Sequence, residues 1–448
     1  MNQYCEMATV PTKWLYALPT HWGCKKIGSL FSERKEKVSD KDYAPLSVAK
    51  IGVVPQLETA VKTDAGDNRK LVCVGDFVIN SRSDRKGSCG IADRDGSVSL
   101  INIVLTPRNE CNSRYVHYLM RSQPFSEEYY RYGKGIVSDL WTTRFSEMKN
   151  ILLPVPPREE QDQIVCFLDW KTSCINRLIL IRKRQIEELE ELKRSRVGHL
   201  IMGQSKDIPQ RKTAISWVKT IPVHWSEKSL IQFAEEQLIK NTGMVEDNLL
   251  SLSYGKIIKK DINTTDGLLP ASFEGYQIVY DGNIVLRLTD LQNDHKSLRT
   301  GLTTQTGIIT SAYTCLKVRT GILPEYLQLQ LHVADLCKVF YGMGGGVRQS
   351  IGFKDIHTLL IAIPPIDEQQ SILELVHSVE EPINRAIQKS REIIAILEDL
   401  KNRLICDAVT GKIDVRDIDI PEYDFVKEDA DGEDEENPES VEGETDEE

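Results

Sequence analysis

The apolar and polar positions of this chain follow one pattern twice. In each half, short runs of β-branched and other apolar residues are separated by glycine, aspartate and asparagine, which is typical of strands joined by turns. The clearest of these predicted strands are Asp76–Asn80 and Asn283–Leu286. Each half then closes with a long segment in which apolar residues recur at alternating steps of four and three, which is typical of an amphipathic helix. The pattern predicts an α+β fold built from two similar halves.

Matching motifs about 208 residues apart show that the chain contains an internal duplication. Trp14–Trp22 and Trp217–Trp225 both read W-x4-P-x-H-W. Near the end of each half, Pro156–Gln161 and Pro364–Gln369 both contain Pro-Pro, two variable positions and Glu-Gln. From there the two copies align without a gap over about 48 residues, whereas the bodies before them diverge. Each half is therefore a variable body followed by a better-matched segment.

The matched segments are predicted to be helices. Pro-Pro followed by acidic residues suits a helix start, and Gly203 and Gly411 suit helix stops. Pro382 would separate a short first helix from a longer second one. The apolar spacing is that of a coiled coil. The seam residues expected to pair the helices or to dock a partner are Ile175, Ile179, Ile186, Leu189, Ile383, Ile387, Ile394 and Leu397.

Polar residues interrupt this seam at corresponding places in the two copies. Arg182 corresponds to Ser390, and Lys193 corresponds to Lys401. One interpretation is that these side chains extend along the edge of the helix pair to reach water. The other is that they set the register of the helices or meet a partner protein.

The short connection between the halves limits how the helices can pack. Only the polar linker Gln204–Lys212 joins the first long segment to the second body. Because domain ends commonly lie near each other, the second helix is expected to begin close to where the first one stops. This favours two long antiparallel helices with a body at each end and a pseudo-two-fold relation between the halves. About 40 helical residues would form a spacer on the order of 60 Å.

Charge is distributed unevenly along the 448 residues. The formal net charge is −11, but the segment from Asp414 to Glu448 alone holds 18 acidic and 2 basic residues. The other 413 residues carry 54 Lys and Arg against 49 Asp and Glu. The body is thus mildly basic, which permits nucleic-acid binding. The acidic tail is expected to be disordered and to repel non-specific DNA weakly.

Cysteine usage and hydropathy indicate a cytoplasmic protein. The ten cysteines show no Cys-x-x-Cys pair or zinc-like spacing, so no metal site is predicted. No amino-terminal secretory signal and no apolar run long enough to span a membrane is present in the sequence.

Polar loops with basic residues follow the predicted strands, and each is either a solvated turn or a DNA-contacting loop. Arginine can read guanine in the major groove, while lysine and serine suit phosphates. A glycine-rich segment also recurs, at Tyr132–Gly135 and Tyr341–Gly346, and lacks a nucleotide phosphate-loop signature. It is either an ordinary loop or a backbone that approaches DNA closely. The candidate DNA-binding residues are Arg82, Ser83, Arg85, Lys86, Lys134, Arg287, His295, Lys296, Arg299, Arg348 and Gln349.

The paired dipeptides His21-Trp22 and His224-Trp225 are expected to pack as an aromatic corner at the start of each body. No serine, cysteine or carboxylate set recurs beside them, so no catalytic residue is assigned.

Taken together, these motifs resemble the specificity subunits of Type I restriction-modification enzymes. The resemblance spans residues 11–414, departs at Ile201–Gln204, and does not include the acidic tail after Asp419. It implies two α/β target recognition domains separated by a coiled coil of two antiparallel helices. The implied divisions are target recognition domains at 1–156 and 212–364, helical spacers at 157–204 and 365–413, a linker at 205–211 and a tail at 414–448.

The resemblance also implies a function and a set of partners. Each domain would read one half of an asymmetric, split site in double-stranded DNA, and the helices would serve as a ruler and as the docking surface for two modification subunits. Those subunits would bind S-adenosylmethionine and methylate adenine N6. Restriction subunits would add ATP-driven translocation and Mg-dependent cleavage for phage defence. This chain would bind none of these cofactors and would not be an enzyme.

Two alternatives remain open from the sequence alone. One is a catalytic enzyme with an unrecognised site, which would require a recurring set of acid, base or nucleophile. The other is a coiled-coil scaffold that binds only protein.

Overall fold

The computed structural model forms two compact units, which share both long helices. Unit 1 comprises the described residues of 1–184 and 390–433, and unit 2 comprises those of 185–389. The described residues are 3–10, 12–56, 66–82, 85–108, 111–135, 141–204, 207–262, 272–291, 298–343 and 350–427.

The described residues of the body of unit 1 form thirteen strands and four helices before the first long helix. They are β1 Met7–Thr9, β2 Ala17–Pro19, β3 Gly23–Lys26, α1 Ile27–Leu30, β4 Phe31–Arg34, β5 Lys37–Val38, β6 Leu46–Ala49, β7 Gly52–Pro55, β8 Arg69–Val72, β9 Phe77–Asn80, β10 Cys89–Ile91, β11 Gly96–Val98, β12 Asn102–Pro107, α2 Ser113–Arg121, α3 Gln123–Arg131, α4 Phe145–Met148 and β13 Leu152–Val155. The long helix α5 is Arg158–Ile201.

Among its described residues, the body of unit 2 follows a similar order, without a counterpart of β5. Its elements are β14 Gln210–Lys212, β15 Thr220–Pro222, β16 Ser226–Ser229, β17 Ala234–Glu236, β18 Leu250–Ser253, β19 Lys256–Lys259, β20 Gln277–Val279, β21 Ile284–Leu286, β22 Thr300–Leu302, β23 Gly307–Ile309, β24 Thr314–Val318, α6 Pro324–Leu336, α7 Phe353–Ile356 and β25 Leu360–Ile363. The second long helix, α8, is Ile366–Val409.

The two bodies have the same strand order in the main sheet although their sequences diverge, whereas the second sheet is β11-β8-β5 in unit 1 and β20-β23 in unit 2. The main antiparallel sheet has the order β10-β9-β12-β4 in unit 1 and β22-β21-β24-β17 in unit 2. A hairpin, β6-β7 or β18-β19, lies along the chain between the first and second strands of this sheet, and a closing pair is β3-β13 or β16-β25. The internal duplication therefore extends through the variable bodies, where the two sequences diverge and only short features recur.

The central strands alternate between two cores, as expected for a sheet covered on both faces. In β9, Phe77 and Ile79 join the main core of unit 1, whereas Val78 joins a smaller core with strands of the second sheet. In β21, Ile284 contributes to the main core of unit 2, whereas Val285 faces the smaller one. Both predicted strands are confirmed.

Both predicted long helices are confirmed, and each begins directly after its Pro-Pro pair. Gly203 and Gly411 have φ angles of 60° and 71°, which lie in the left-handed region that glycine adopts after a helix. The predicted break at Pro382 is wrong, because α8 passes through it. Pro382 and Ser378 are both exposed, so water can reach the carbonyl that lacks its helical hydrogen bond.

Within each unit, the two helix segments run antiparallel. In unit 1, Gln163 donates to the carbonyl of Val415, just after the end of α8, at 3.1 Å, and further along α5, Asn176 accepts from Lys401 of α8 at 3.4 Å. In unit 2, Lys193 donates to Asn384 at 3.1 Å, and further along α5, Val197 lies in one core with Ile372 and Val376 of α8. Chain numbers rise along α5 as they fall along α8, which confirms the predicted orientation.

The same pair of residue types links the helices in both units. Asn176 and Asn384 occupy corresponding positions of the duplication, as do Lys193 and Lys401. Each lysine donates to the asparagine of the opposite helix. Of the two interpretations left open for the polar seam, this geometry supports the register-setting one for the lysines, because a hydrogen bond at a fixed position penalises sliding. We refer to these two contacts as the register pairs.

Most of the predicted apolar seam faces the interior. Ile175, Ile179 and Ile387 are buried. The other five predicted seam residues are half-buried, namely Ile186, Leu189, Ile383, Ile394 and Leu397.

After α8, the chain continues along α5 as an extended segment, residues 412–427, which we call the strap. Ser173 donates to the carbonyl of Asp424 at 2.9 Å and accepts from the amide of Val426 at 2.7 Å. Asn176 donates to the carbonyl of Val426 at 3.2 Å. The expected disorder from Asp414 onward is therefore wrong as far as Lys427, because α5 side chains satisfy the strap backbone. The rest of the acidic tail lies outside the described residues.

Candidate nucleic-acid interface

The paired His-Trp dipeptides fix each body to the start of a long helix. His21 and Trp22 hydrogen-bond to the Glu160 carboxylate at 2.8 and 3.0 Å, and the Tyr4 hydroxyl donates to the same group. The contacts recur in unit 2, where His224 and Trp225 lie 2.8 and 3.0 Å from Glu368. The dipeptides were expected only to pack as a corner, and their hydrogen bonds to the helix were not anticipated. We refer to these two sets of contacts as the clasps.

The glutamine that follows each clasp glutamate ties a second helix to the same point. Gln161 accepts from the amide of Asn112, just before α2, at 2.7 Å, and donates to the carbonyl of Pro156. Gln369 accepts from the amide of Leu323, just before α6, at 2.8 Å. The Glu-Gln pair therefore ties two separate segments of the body to the first turn of the long helix in each unit.

In unit 1, the predicted basic loop and the glycine-rich segment come together. Thr142 pairs through its backbone with both Arg82 and Lys134. The amide of Thr143 donates to the carbonyl of Ser81 at 3.0 Å. Arg82 and Lys134 are both exposed. Two features about fifty residues apart in sequence thus form one basic surface.

The rest of this loop is held by α3. The Tyr130 hydroxyl donates to the carbonyl of Arg85 at 3.1 Å, and the Lys86 ammonium lies 6.0 Å from the centre of the Tyr130 ring. Arg85 and Lys86 are exposed. The candidate Ser83 lies outside the described residues.

Unit 2 repeats the main backbone contact. The amide of Ile351 donates to the carbonyl of Leu288 at 3.0 Å, at the place where Thr143 and Ser81 meet in unit 1. Arg287, at the start of this loop, is half-buried. Four further candidates lie outside the described residues, namely His295, Lys296, Arg348 and Gln349.

The assignment of Arg299 as a DNA-binding residue is corrected by the structure. Its side chain is fully buried. The guanidinium donates to the carbonyls of Arg287, Thr289 and Asp290 at 3.3, 2.6 and 3.3 Å, and to the Tyr341 hydroxyl at 3.2 Å. The guanidinium therefore binds the backbone at the start of the loop and does not face solvent. The sequence alone does not distinguish a loop arginine that contacts DNA from one that supports the loop backbone.

A hairpin tip adjoins the loop in each unit and was not identified from the sequence. In unit 1 the tip is Lys50-Ile51, and a Cβ added at Gly87 of the loop would lie 4.0 Å from the Lys50 side chain. In unit 2 the tip is Tyr254-Gly255, and a Cβ added at Gly255 would lie 3.2 Å from Leu298. A glycine in a two-residue turn between alternating apolar positions was the available signal.

A groove of about 780 Å³ lies beside the loop of unit 1. Its charged lining is six basic residues and one acidic residue, namely Lys50, Lys86, Arg114, Arg121, Lys401, Lys427 and Asp93. His117 also lines it, but burial, followed by the charges of Arg121 and Arg114, lowers the pKa of this histidine to about 3. The positive charge therefore comes from lysine and arginine and persists at all physiological pH, as suits a phosphate backbone.

The described residues contain no group of three or more His, Cys, Asp or Glu placed to hold a metal ion. In the same part of the chain, no helix combines the length and the apolar character needed to cross a bilayer.

No family model matches the chain. A search of curated proteins finds 22% identity over 399 residues to a "Putative type I restriction enzyme MjaX specificity subunit" from Methanocaldococcus jannaschii, covering 86% of this chain and 87% of that protein.

Among solved structures, one chain from work on complex assembly and conformational transition of the type I R-M system covers 89% of this chain and 100% of its own length. Its TM-score is 0.61 and its sequence identity 14%. The HsdS subunit from Thermoanaerobacter tengcongensis covers 90% of this chain and 99% of its own length, at 15% identity and a TM-score of 0.43, too low to add to the comparison. Over nearly its whole length, this chain is similar in sequence to a type I restriction enzyme specificity subunit and similar in fold to a chain of a type I restriction-modification system.

Proposed function

We propose that this chain is the non-catalytic DNA-recognition subunit of a type I restriction-modification complex. Each unit reads one half of a split double-stranded DNA site, and the long helices dock two modification subunits. Those subunits bring S-adenosylmethionine for adenine N6 methylation. Restriction subunits join through them and bring ATP and Mg for translocation and cleavage.

One observation carries this proposal: the two bodies share the strand order of the main sheet, and in each the residue that begins the loop after the central strand bonds to a returning segment. A hairpin tip adjoins this loop in both units. Arg82, Arg85, Lys86 and Lys134 are exposed on this surface in unit 1. Arginine and lysine at exposed loops supply both phosphate contacts and base readout. The corresponding loops differ in sequence between the units, so two different half-sites are expected.

The proposal is tested by mapping methylated adenines in the host genome by long-read sequencing. We expect an asymmetric bipartite motif that disappears when this chain is deleted. Purified chain with its modification subunit should then bind a duplex carrying that motif in preference to a random-sequence duplex. A palindromic motif, or equal affinity for both duplexes, would contradict the assignment.

The helices are expected to set the length of the unspecified spacer between the half-sites. Leu189 lies between Asn176 and Lys193 on α5, and Leu397 lies between Asn384 and Lys401 on α8. Inserting one heptad after Leu189 and another after Leu397 therefore leaves both register pairs intact. Seven residues at about 1.5 Å each add the length of about three base pairs.

Methylation mapping of the double-insertion variant is the measurement. Both half-sites should be retained and the spacer lengthened. Insertion in α5 alone is the matched control, and it should abolish methylation because the register pairs of the two units can no longer form together. An unchanged spacer in the double insertion would refute the ruler.

Deleting the acidic segment after Lys427 is expected to raise the affinity for random-sequence DNA about three- to tenfold at low salt. The segment from Glu428 to Glu448 contains 13 acidic and no basic residues, and it follows a residue that lines the basic groove. Negative charge tethered there competes with phosphates, and salt screens the effect. A neutral tail of equal length is the control, and it should behave as the deletion does. If wild type, the deletion and the neutral-tail variant bound random-sequence DNA equally well, the tail would have no effect on DNA binding and would serve only solubility.

A further inference from the structure

We infer that Tyr254, at the tip of the β18-β19 hairpin, is a DNA-contacting residue of unit 2. The inference rests on the proposed function and adds a contact that the basic loops do not supply.

The hairpin turn forces Tyr254 into an unfavourable backbone conformation. Ser253 pairs with Lys256, so the turn consists of Tyr254 and Gly255 alone. Their φ angles are 45° and 77°. A two-residue turn of this kind favours asparagine, aspartate or glycine at its first position, because a bulky side chain is strained at positive φ. Tyrosine at this position therefore carries a conformational cost.

Packing does not offset that cost, because the ring faces solvent. Tyr254 is 61% exposed. The hairpin itself is firmly held: a Cβ added at Gly301 would lie 2.6 Å from Leu252 and 3.0 Å from Ile257, so the two strands lie directly on β22. A rigid support thus presents a large, strained and exposed aromatic side chain. Such outliers concentrate at functional sites.

The surroundings favour DNA over a protein partner. The tip abuts Leu298, at the end of the loop that begins with Arg287. Lys256 adjoins the tip and is exposed, and Lys259, three residues further along β19, is exposed as well. In unit 1, the corresponding tip carries Lys50, whose side chain lies next to Gly87 of the basic loop. The hairpin tip is therefore part of the same surface in both units.

The chemistry of tyrosine fits a groove of the duplex. Its ring offers an apolar face to a deoxyribose or a thymine methyl group, and its hydroxyl can donate to a phosphate or a base edge. Lys256, beside the tip, supplies a phosphate contact. In this geometry, Tyr254 reads or stabilises part of the half-site of unit 2 and leaves the half-site of unit 1 untouched.

The substitution Tyr254→Asn separates function from folding, because it creates the Asn-Gly turn that the hairpin prefers. We expect the melting temperature to rise by about 2 °C. The affinity for the mapped target duplex should fall about tenfold, and discrimination should weaken only in the half-site of unit 2. The affinity of the Tyr254→Phe variant for the target duplex should fall by less, because phenylalanine keeps the aromatic ring. Tyr16→Asn is the matched control, since Tyr16 is 86% exposed and belongs to unit 1, outside its β6-β7 hairpin; the DNA affinity of this variant should not change.

The measurements are DNA titration and subunit assembly, both with the full chain and its modification subunit. If wild type discriminates the target from a random duplex and Tyr254→Asn binds within twofold of it, the inference about Tyr254 fails while the proposed function stands. If Tyr254→Asn instead weakens assembly with the modification subunit at unchanged DNA affinity, the tip contacts protein and the inference also fails. If wild type does not discriminate, the proposed function itself fails.

Discussion

Replacing Glu160 with alanine is expected to lower the free energy of unfolding of unit 1 by about 3 kcal/mol. The carboxylate is 5% exposed and accepts from Tyr4, His21 and Trp22. Without it, the buried indole and hydroxyl donors lose their acceptor, and each unsatisfied donor costs roughly 1–3 kcal/mol. Amide hydrogen exchange measured on peptides of unit 1 reports this loss.

The duplication provides the comparison. Glu368 makes the same contacts with His224 and Trp225, but its side chain is 27% exposed and His224 is 49% exposed. Water can replace a lost partner there, so Glu368→Ala is expected to cost only about 1 kcal/mol, confined to unit 2. Equal losses for the two substitutions, or a Glu160→Ala variant as stable as wild type, would show that the clasps do not hold the bodies.

Replacing Gly411 with alanine is expected to destabilise unit 1 by about 3 kcal/mol as well. The φ angle of Gly411 is 71°, and a Cβ there would lie 2.5 Å from Pro19 and 3.2 Å from Trp22. The end of α8 therefore packs against the same tryptophan that Glu160 holds. Alanine adds a steric clash to the strain of positive φ, and the body or the helix end must shift.

The variant Gly243→Ala is the control that measures the cost of positive φ without a steric clash. Gly243 has a φ angle of 77°, but a Cβ there would meet no atom within 4 Å. We expect a loss of only about 1 kcal/mol. Thermal unfolding of both variants, with hydrogen exchange to assign the affected unit, provides the measurement. If Gly411→Ala were no worse than Gly243→Ala, the close packing of the helix end on Trp22 would be disproved.

The repeated elements could be predicted from the sequence because each has a strong local signal. The Pro-Pro starts and glycine stops placed both long helices within a few residues, and the apolar runs placed β9 and β21. These signals depend on backbone chemistry close to the element itself. The break predicted at Pro382 was wrong because it rested on such a local signal alone. Proline disfavours a helix interior, but exposure of this position to water lets α8 continue through it.

The candidate site was less accessible to prediction, because its parts are joined only by tertiary contacts. Arg82 and Lys134 each pair with Thr142, although they are far apart in sequence and belong to no common hydrophobic pattern. Arg299 shows the opposite case, in which a basic residue in a polar loop is buried by contacts with its own loop. Whether a loop residue faces DNA thus depends on packing that composition does not encode. The DNA-binding roles of the exposed candidates stay predictions.

The strap makes the two helical surfaces chemically unequal. On α5 in unit 1, Ser173, Asn176 and Arg177 are occupied by the backbone or carboxylate of the strap. At the corresponding positions of α8 in unit 2, Glu381 and Arg385 are exposed and pair with each other. Two identical partner molecules would therefore meet different atoms on the two halves of an otherwise repeated scaffold. Their affinities would differ, and assembly would proceed in a defined order rather than statistically.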